Sequence, residues 1–139
     1  MSLIVVDASC VAAWFLPSQA TAAASALQHR LHQFDLIAPA ILRTELRALF
    51  LKAERRGAAA APDTVAALAA IELLGIQYAG DPGDDDLDLV LGTARGFNLT
   101  MYDAFYFQLA MIERAAIATR DGALLAAALG RGVPVEDCR

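Results

Sequence analysis

Leu3-Ile4-Val5-Val6 is an unbroken apolar run, mostly β-branched, that stops abruptly at Asp7. A strand with one wet face alternates apolar and polar residues; a continuous run marks a strand covered on both faces, as in a parallel sheet. Parallel neighbours need a crossover between them, normally a helix, and the rest of the chain has that rhythm. Helical patterns over 9–16 and 20–33 lead to a short strand at 36–38, stopped by Pro39. A helix over about 39–56 carries Ile41, Leu42, Leu46, Leu49 and Phe50 on one stripe and ends at Gly57. Pro62-Asp63-Thr64 opens another helix reaching Leu74, and Ile76 to Tyr78 reads as a third strand. A Gly/Pro/Asp loop at 80–86 supplies acids to the start of a helix over about 87–96. A helix over 100–113, a strand at 116–119, a helix over 122–129 and a strand at 133–135 complete the series. Strands alternating with helices predict an α/β fold with a mainly parallel sheet. No repeat or linker interrupts the 139 residues, so residues 1–139 are expected to form one domain.

Composition narrows the classes of function. Hydrophobic residues make up 58% of the chain and charged ones 19%, against about 25% charged in an average soluble protein. That apolar excess predicts an exposed patch covered by a second subunit, a homodimer. Cys10 and Cys138 form no C-x-x-C pair and read as free, partly buried thiols of a reducing cytosol. No signal-like run is visible and no stretch approaches the roughly 20 apolar residues of a membrane span. The expectation is a soluble, cytoplasmic protein with no membrane partner. The net charge of −5 argues against a broad basic nucleic-acid footprint. Charge is nevertheless unevenly spread. Arg43, Arg47, Lys52, Arg55 and Arg56 crowd one predicted helix, and Asp81, Asp84, Asp85, Asp86 and Asp88 crowd one loop.

Four carboxylates stand out by position. Asp7 follows the first strand and Asp121 follows Ile117-Ala118-Thr119-Arg120, so both fall at the carboxyl ends of strands, where open α/β sheets bind ligands. Each is equally well placed to cap the next helix. Asp103 has capping-box spacing from Thr100, yet sits among Met101, Tyr102, Phe105, Tyr106 and Phe107, where a bare charge is costly. Glu45 lies on a helix whose neighbours face a core, with Ala48 and Leu49 at i+3 and i+4 instead of a basic partner; a solvated surface glutamate is the alternative. As a set, crowded acids suit a hard divalent cation, which takes oxygen ligands and relieves their repulsion. Such ions activate water for phosphodiester cleavage. His29 and His32, three apart on a predicted helix, have no accompanying acid motif and read as surface residues.

Val5-Val6-Asp7-Ala8-Ser9, Thr44-Glu45, Tyr102-Asp103-Ala104-Phe105-Tyr106 and Ala118-Thr119-Arg120-Asp121 together resemble the PIN-domain nucleases, and within them the VapC-type toxins of bacterial toxin–antitoxin pairs. Each motif is short; their order and spacing cover nearly the whole chain. The resemblance implies a PIN-like three-layer α/β/α fold around a central, mainly parallel sheet of about five strands. It implies a ribonuclease dependent on Mg2+ or Mn2+, homodimeric and neutralised by a VapB-like antitoxin that lays a peptide in the active-site groove. The family's metal-site acids fall on Asp7, Glu45, Asp103 and Asp121, and its small hydroxyl positions on Ser9 and Thr119, which can bond carboxylates or close turns. Arg43, Arg47 and Arg120 are the candidate RNA phosphate contacts, with a solvated helix face or local salt bridges as the alternative.

Three rival readings fail on named residues. A haloacid-dehalogenase-type phosphatase needs a second Asp two residues after the first, where this chain has Ser9. A response-regulator receiver needs a late lysine, and the single lysine here is Lys52. An EF-hand at Asp81–Asp88 fails because Gly83 and Gly92 occupy ligand positions. A catalytically silent PIN-fold module that only pairs with an antitoxin-like partner is the remaining alternative.

Overall fold

A computed structural model describes residues 1–139. In chain order the elements are β1 (Ser2–Val6), α1 (Ala8–Phe15), α2 (Ala22–Gln28), β2 (Phe34–Ala38), α3 (Leu42–Arg55), α4 (Ala61–Glu72) and β3 (Gln77–Tyr78). They continue with α5 (Asp84–Phe97), α6 (Met101–Glu113), β4 (Ala116–Thr119), α7 (Gly122–Gly130) and β5 (Val135–Asp137). All strands pair in parallel, in the order β3-β2-β1-β4-β5. The architecture is the three-layer α/β/α sandwich expected from the alternation of elements. On one side α1 contacts β4 and packs with α2 and α3; α6 contacts β1 and β4 and packs with α5 and α7.

The apolar run that opens the chain is the centre of this sheet. Val5 pairs with Ile37 of β2 on one side and Ile117 of β4 on the other. Ile4, Val5, Val6 and Ile117 are fully buried, as strands covered on both faces must be. Helix α3 buries Leu42, Leu46, Phe50 and Ala53, one residue per turn; Ile41 and Leu49, placed on the same stripe from sequence, only flank that core. Phe107 of α6 meets Phe97 of α5 edge-on at 4.7 Å between centroids.

Several boundaries differ from the sequence reading: α3 begins at Leu42 and not near Pro39, and α5 begins at Asp84, inside the stretch expected as a loop at 80–86. The helix expected over 20–33 ends at Gln28, because residues 34 and 35 are recruited to pair with Ser2 and Leu3. His29 therefore caps α2 and His32 lies in a separate 3-10 turn; both are exposed and no longer share a helix. The last strand falls at Val135–Asp137 instead of 133–135. Gly132 turns the chain at φ +69, and Pro134, with no N–H to give, enters only as an acceptor from the Ile117 amide. Beyond β5, the free thiols of Cys138 and Cys10 meet at 2.6 Å, both buried, against α1. The adjacent Cys138 thiol, and then burial, hold the Cys10 thiol far above its ordinary range, which makes it a poor nucleophile.

Leu46 is 1% exposed at the centre of the α3 contact. Leu46→Ala should cost about 3 kcal/mol of unfolding free energy through lost transfer energy and the cavity left behind. A urea titration followed by circular dichroism measures it; a midpoint equal to the parent's would mean that α3 is not part of the core.

Candidate active site

A parallel sheet whose order reverses at its centre leaves a crevice where the two chain directions part, beyond the carboxyl ends of the strands. Here the reversal lies between β1 and β4. Asp7 is the first residue after β1, and its amide still bonds the Ala118 carbonyl of β4 at 3.2 Å. Asp121 comes two residues after the end of β4. Asp103 sits in the first turn of α6 and Glu45 in the first turn of α3. Four helices thus start at one crevice, and each brings one acid in its cap or first turn. Helix N-termini favour negative charge, which lets four acids gather where they would otherwise repel.

Asp7 is 5% exposed and is the most tightly held. Its Oδ1 accepts from the Cys10 amide at 2.9 Å, capping α1, and from the Ser9 hydroxyl at 2.8 Å. Its Oδ2 accepts from the Thr119 hydroxyl. The two hydroxyls repeat one device. Thr119 Oγ1 also accepts from the Asp121 amide at 2.9 Å, and Ser9 Oγ from the Arg120 amide at 3.1 Å. Each hydroxyl ties the acid after β1 to the backbone after β4. Asp121 in turn caps α7 with Oδ1, accepting from the Leu124 amide at 2.8 Å.

Across the crevice, Tyr106 of α6 donates its buried hydroxyl to Glu45 Oε1 at 2.6 Å. Thr100 caps α6 by accepting from the Asp103 amide at 3.1 Å, so the Asp103 carboxylate is not consumed in the cap. Burial pushes the Asp7 carboxyl up to about 6; bonds from Thr119, Cys10 and Ser9 oppose this, and the charge of Asp103 adds to it. Glu45 is raised by burial and by Asp103, against its Tyr106 bond, and Asp103 by burial and by Asp121. These mutual repulsions are the electrostatic signature of one site.

The four acids line one open cleft of about 630 Å³ together with Ser9, Tyr102, Tyr106 and Lys52. The sequence reading singled out neither Lys52 nor the exposed ring of Tyr102 as part of it. The signal was present: Lys52 is seven residues after Glu45, two helical turns on the same face. Arg43 and Arg47 are set nearly opposite Glu45 around α3. Arg43 stacks 3.7 Å above the Tyr78 ring, and Arg47 donates to the Arg43 carbonyl at 2.9 Å; both line a separate cleft beside Glu72. Arg120 has its backbone at the acids but turns its side chain to the carbonyl and side-chain oxygen of Gln19, at 2.8 and 3.1 Å.

The donor set is all oxygen, as magnesium and manganese prefer. No three of these carboxylates close on a common ligating point. Magnesium is usually held by one or two direct carboxylates with several waters retained, and the raised acids supply the excess negative charge that such an ion neutralises.

The PIN-domain family model matches residues 4–129. The chain belongs to the PIN-domain family. PIN domains are generally nucleases and typically use divalent metals. The crystal structure of PAE2754 from Pyrobaculum aerophilum is 25% identical at a TM-score of 0.64, over 91% of this chain and 86% of that one. The structure of FitAcB from Neisseria gonorrhoeae is 19% identical at a TM-score of 0.54, over 96% of each, which speaks for the fold alone. No curated protein matches the sequence.

Asp7 gives this PIN domain a pH signature. Folded, it keeps its proton up to about pH 6; unfolded, it releases it near 3.8. Between those values the folded chain binds the extra proton, so Asp7's contribution to stability falls as pH rises through the window and is level above it. In metal-free protein, Asp7→Asn should remove roughly 3 kcal/mol of that fall, at about 1.4 kcal/mol per unit of raised pKa. Denaturant titrations of both proteins from pH 4 to 7 test this; parallel curves would show that Asp7 ionises normally.

Proposed function

We propose that this PIN domain is a Mg2+- or Mn2+-dependent endoribonuclease and the toxin of a VapBC-type pair. The observation that carries the reading is the convergence of Asp7, Glu45, Asp103 and Asp121 on one cleft from four helix starts. Asp7 and Asp103 would hold the ion directly, with Glu45 and Asp121 reaching it directly or through water. Bound there, the ion supplies an activated water and neutralises charge growing on the phosphate oxygens. The chain's own residues supply preorganisation. Thr119 and Ser9 fix the Asp7 carboxylate, Tyr106 fixes Glu45, and Asp121 is held by its cap on α7. Groups held this way need no rearrangement as charge develops. Tyr102, 56% exposed at the cleft, offers a ring on which an unpaired base can stack.

The choice of RNA, the VapB-like antitoxin, the homodimer and a cytoplasmic site of action rest on the resemblance of the motifs to VapC-type toxins. One observation supports the homodimer. Leu89 of α5 and Ile112 of α6 are 62% and 67% exposed on helices that pack together, apolar surface of the kind a second subunit covers.

Incubating the protein with structured RNA should give endonucleolytic cleavage with magnesium or manganese and none in chelator. Asp7→Asn with Asp103→Asn should lower the rate on the order of 100-fold or more. Cleavage that persists in chelator, or survives both substitutions, sinks the metal-nuclease reading. Absence of cleavage alongside tight binding of an antitoxin peptide would favour the silent module instead. For the assembly, light scattering at micromolar concentration should return about twice the 14.7 kDa chain mass; a single-chain mass rejects the homodimer.

A further inference from the structure

A cleft lined by four acids repels a polyanion wherever a bound cation does not neutralise them, so the phosphates flanking the scissile one need contacts beyond the cleft floor. Lys52 is the chain's only lysine and the only cationic side chain in the cleft lining. It is exposed and belongs to neither of the chain's salt bridges. At 3.6 residues per turn, Glu45, Lys52 and Arg56 fall within a stripe of roughly 40° along α3, about 10 and 16 Å beyond Glu45. Arg56, the helix cap, is also exposed, and its Nη2 donates to the Ser18 hydroxyl at 3.1 Å in the 3-10 turn Pro17–Gln19. The same turn receives the Arg120 guanidinium at Gln19, where Arg120 Nε is buried without a partner. A cation in a last helical turn gains from the macrodipole wherever it points; that explains the presence of Lys52 and Arg56, but not their alignment with Glu45.

We propose that Lys52 and Arg56 form a phosphate-binding track that leads a single-stranded RNA from the acid cleft along α3 to the 3-10 turn at Pro17–Gln19. The proposal rests on the nuclease reading for its substrate. Lys52 contacts a phosphate beside the scissile one and Arg56 one further along. Neither touches the reacting atoms. Contacts of this kind set affinity and position without reading sequence.

The track predicts a salt signature. Each phosphate neutralised on a single strand contributes about 0.7 to the slope of log affinity against log salt. Binding of a short fluorescent single-stranded RNA is measured by anisotropy between about 50 and 200 mM salt, in a chain carrying Asp7→Asn and Asp103→Asn so that it stays intact. Adding Lys52→Ala or Arg56→Ala should each weaken binding several-fold, equally for unrelated sequences, and lower the slope by about 0.7. Lys52→Arg should restore the slope. In the otherwise unaltered chain, Lys52→Ala should raise KM while leaving kcat nearly unchanged. Slopes that stay at the parent value, or an equal loss in Arg47→Ala on the opposite face of α3, overturn the track. So does failure of the chain to bind RNA at all. The two readings separate cleanly: Lys52-dependent binding without metal-dependent cleavage keeps the track and removes the nuclease. Cleavage indifferent to Lys52 and Arg56 does the reverse.

Discussion

One hydroxyl joins the two halves of this molecule. Thr119, fully buried at the end of β4, donates to the Asp7 carboxylate at the end of β1 and accepts from the Asp121 amide. The crevice between β1 and β4 exists because the sheet order reverses there, and Thr119 fixes the spacing of the acids on its two sides. Ser9 repeats the link from the other side, between Asp7 and the Arg120 amide. Helices α1 and α7 both start at this junction, α1 capped by Asp7 and α7 by Asp121.

The arrangement is expensive in electrostatic terms, and the fold spreads the cost. Burial and mutual repulsion raise Asp7, Glu45 and Asp103 together. Against this the fold sets four helix N-termini and a bond from Tyr106 to Glu45, each favouring the charged form at its own acid. Compensation is local and incomplete, which leaves the cleft short of positive charge. A site balanced by its own arginines would have ordinary carboxyl groups and little use for a cation. Here the nearby guanidiniums are committed elsewhere, Arg43 to Tyr78, Arg47 to a backbone carbonyl and Arg120 to Gln19.

Much of this was legible in the chain itself. Leu3 to Val6 announced a doubly covered strand because no polar residue interrupts it, and the sheet is built around it. Asp7 and Asp121 were legible as strand-end acids, with capping weighed as the rival explanation. The structure makes the two compatible: each carboxylate caps a helix with Oδ1 while facing the cleft. Charge density along α3 does not give charge direction. Arg43 and Arg47 neighbour Glu45 in sequence, but two residues turn a helix by about 200°, so they face away while distant Lys52 faces in. The end of α2 and the position of β5 were illegible for a different reason. Both are decided by pairing, of residues 34 and 35 with β1 and of Val135 to Asp137 with β4, and local propensity carries no record of a partner strand.

The double duty of the acids also settles which substitutions carry information. Replacing Asp7 or Asp121 by alanine would remove a charge and a helix cap together, and a cap alone is worth about 1 kcal/mol. A loss of activity would then not separate chemistry from a frayed α1 or α7. Asparagine keeps an oxygen for the Cys10 or Leu124 amide and removes the charge. It also presents an amide N–H2 where the Thr119 proton now points, so at Asp7 the hydroxyl must reverse while still accepting from Asp121. That rearrangement, about 1–3 kcal/mol if the hydroxyl proton finds no acceptor, is offset by the relief of a buried anion. At these positions the isosteric change therefore separates what the acids contribute to the fold from what they hold in reserve for a cation.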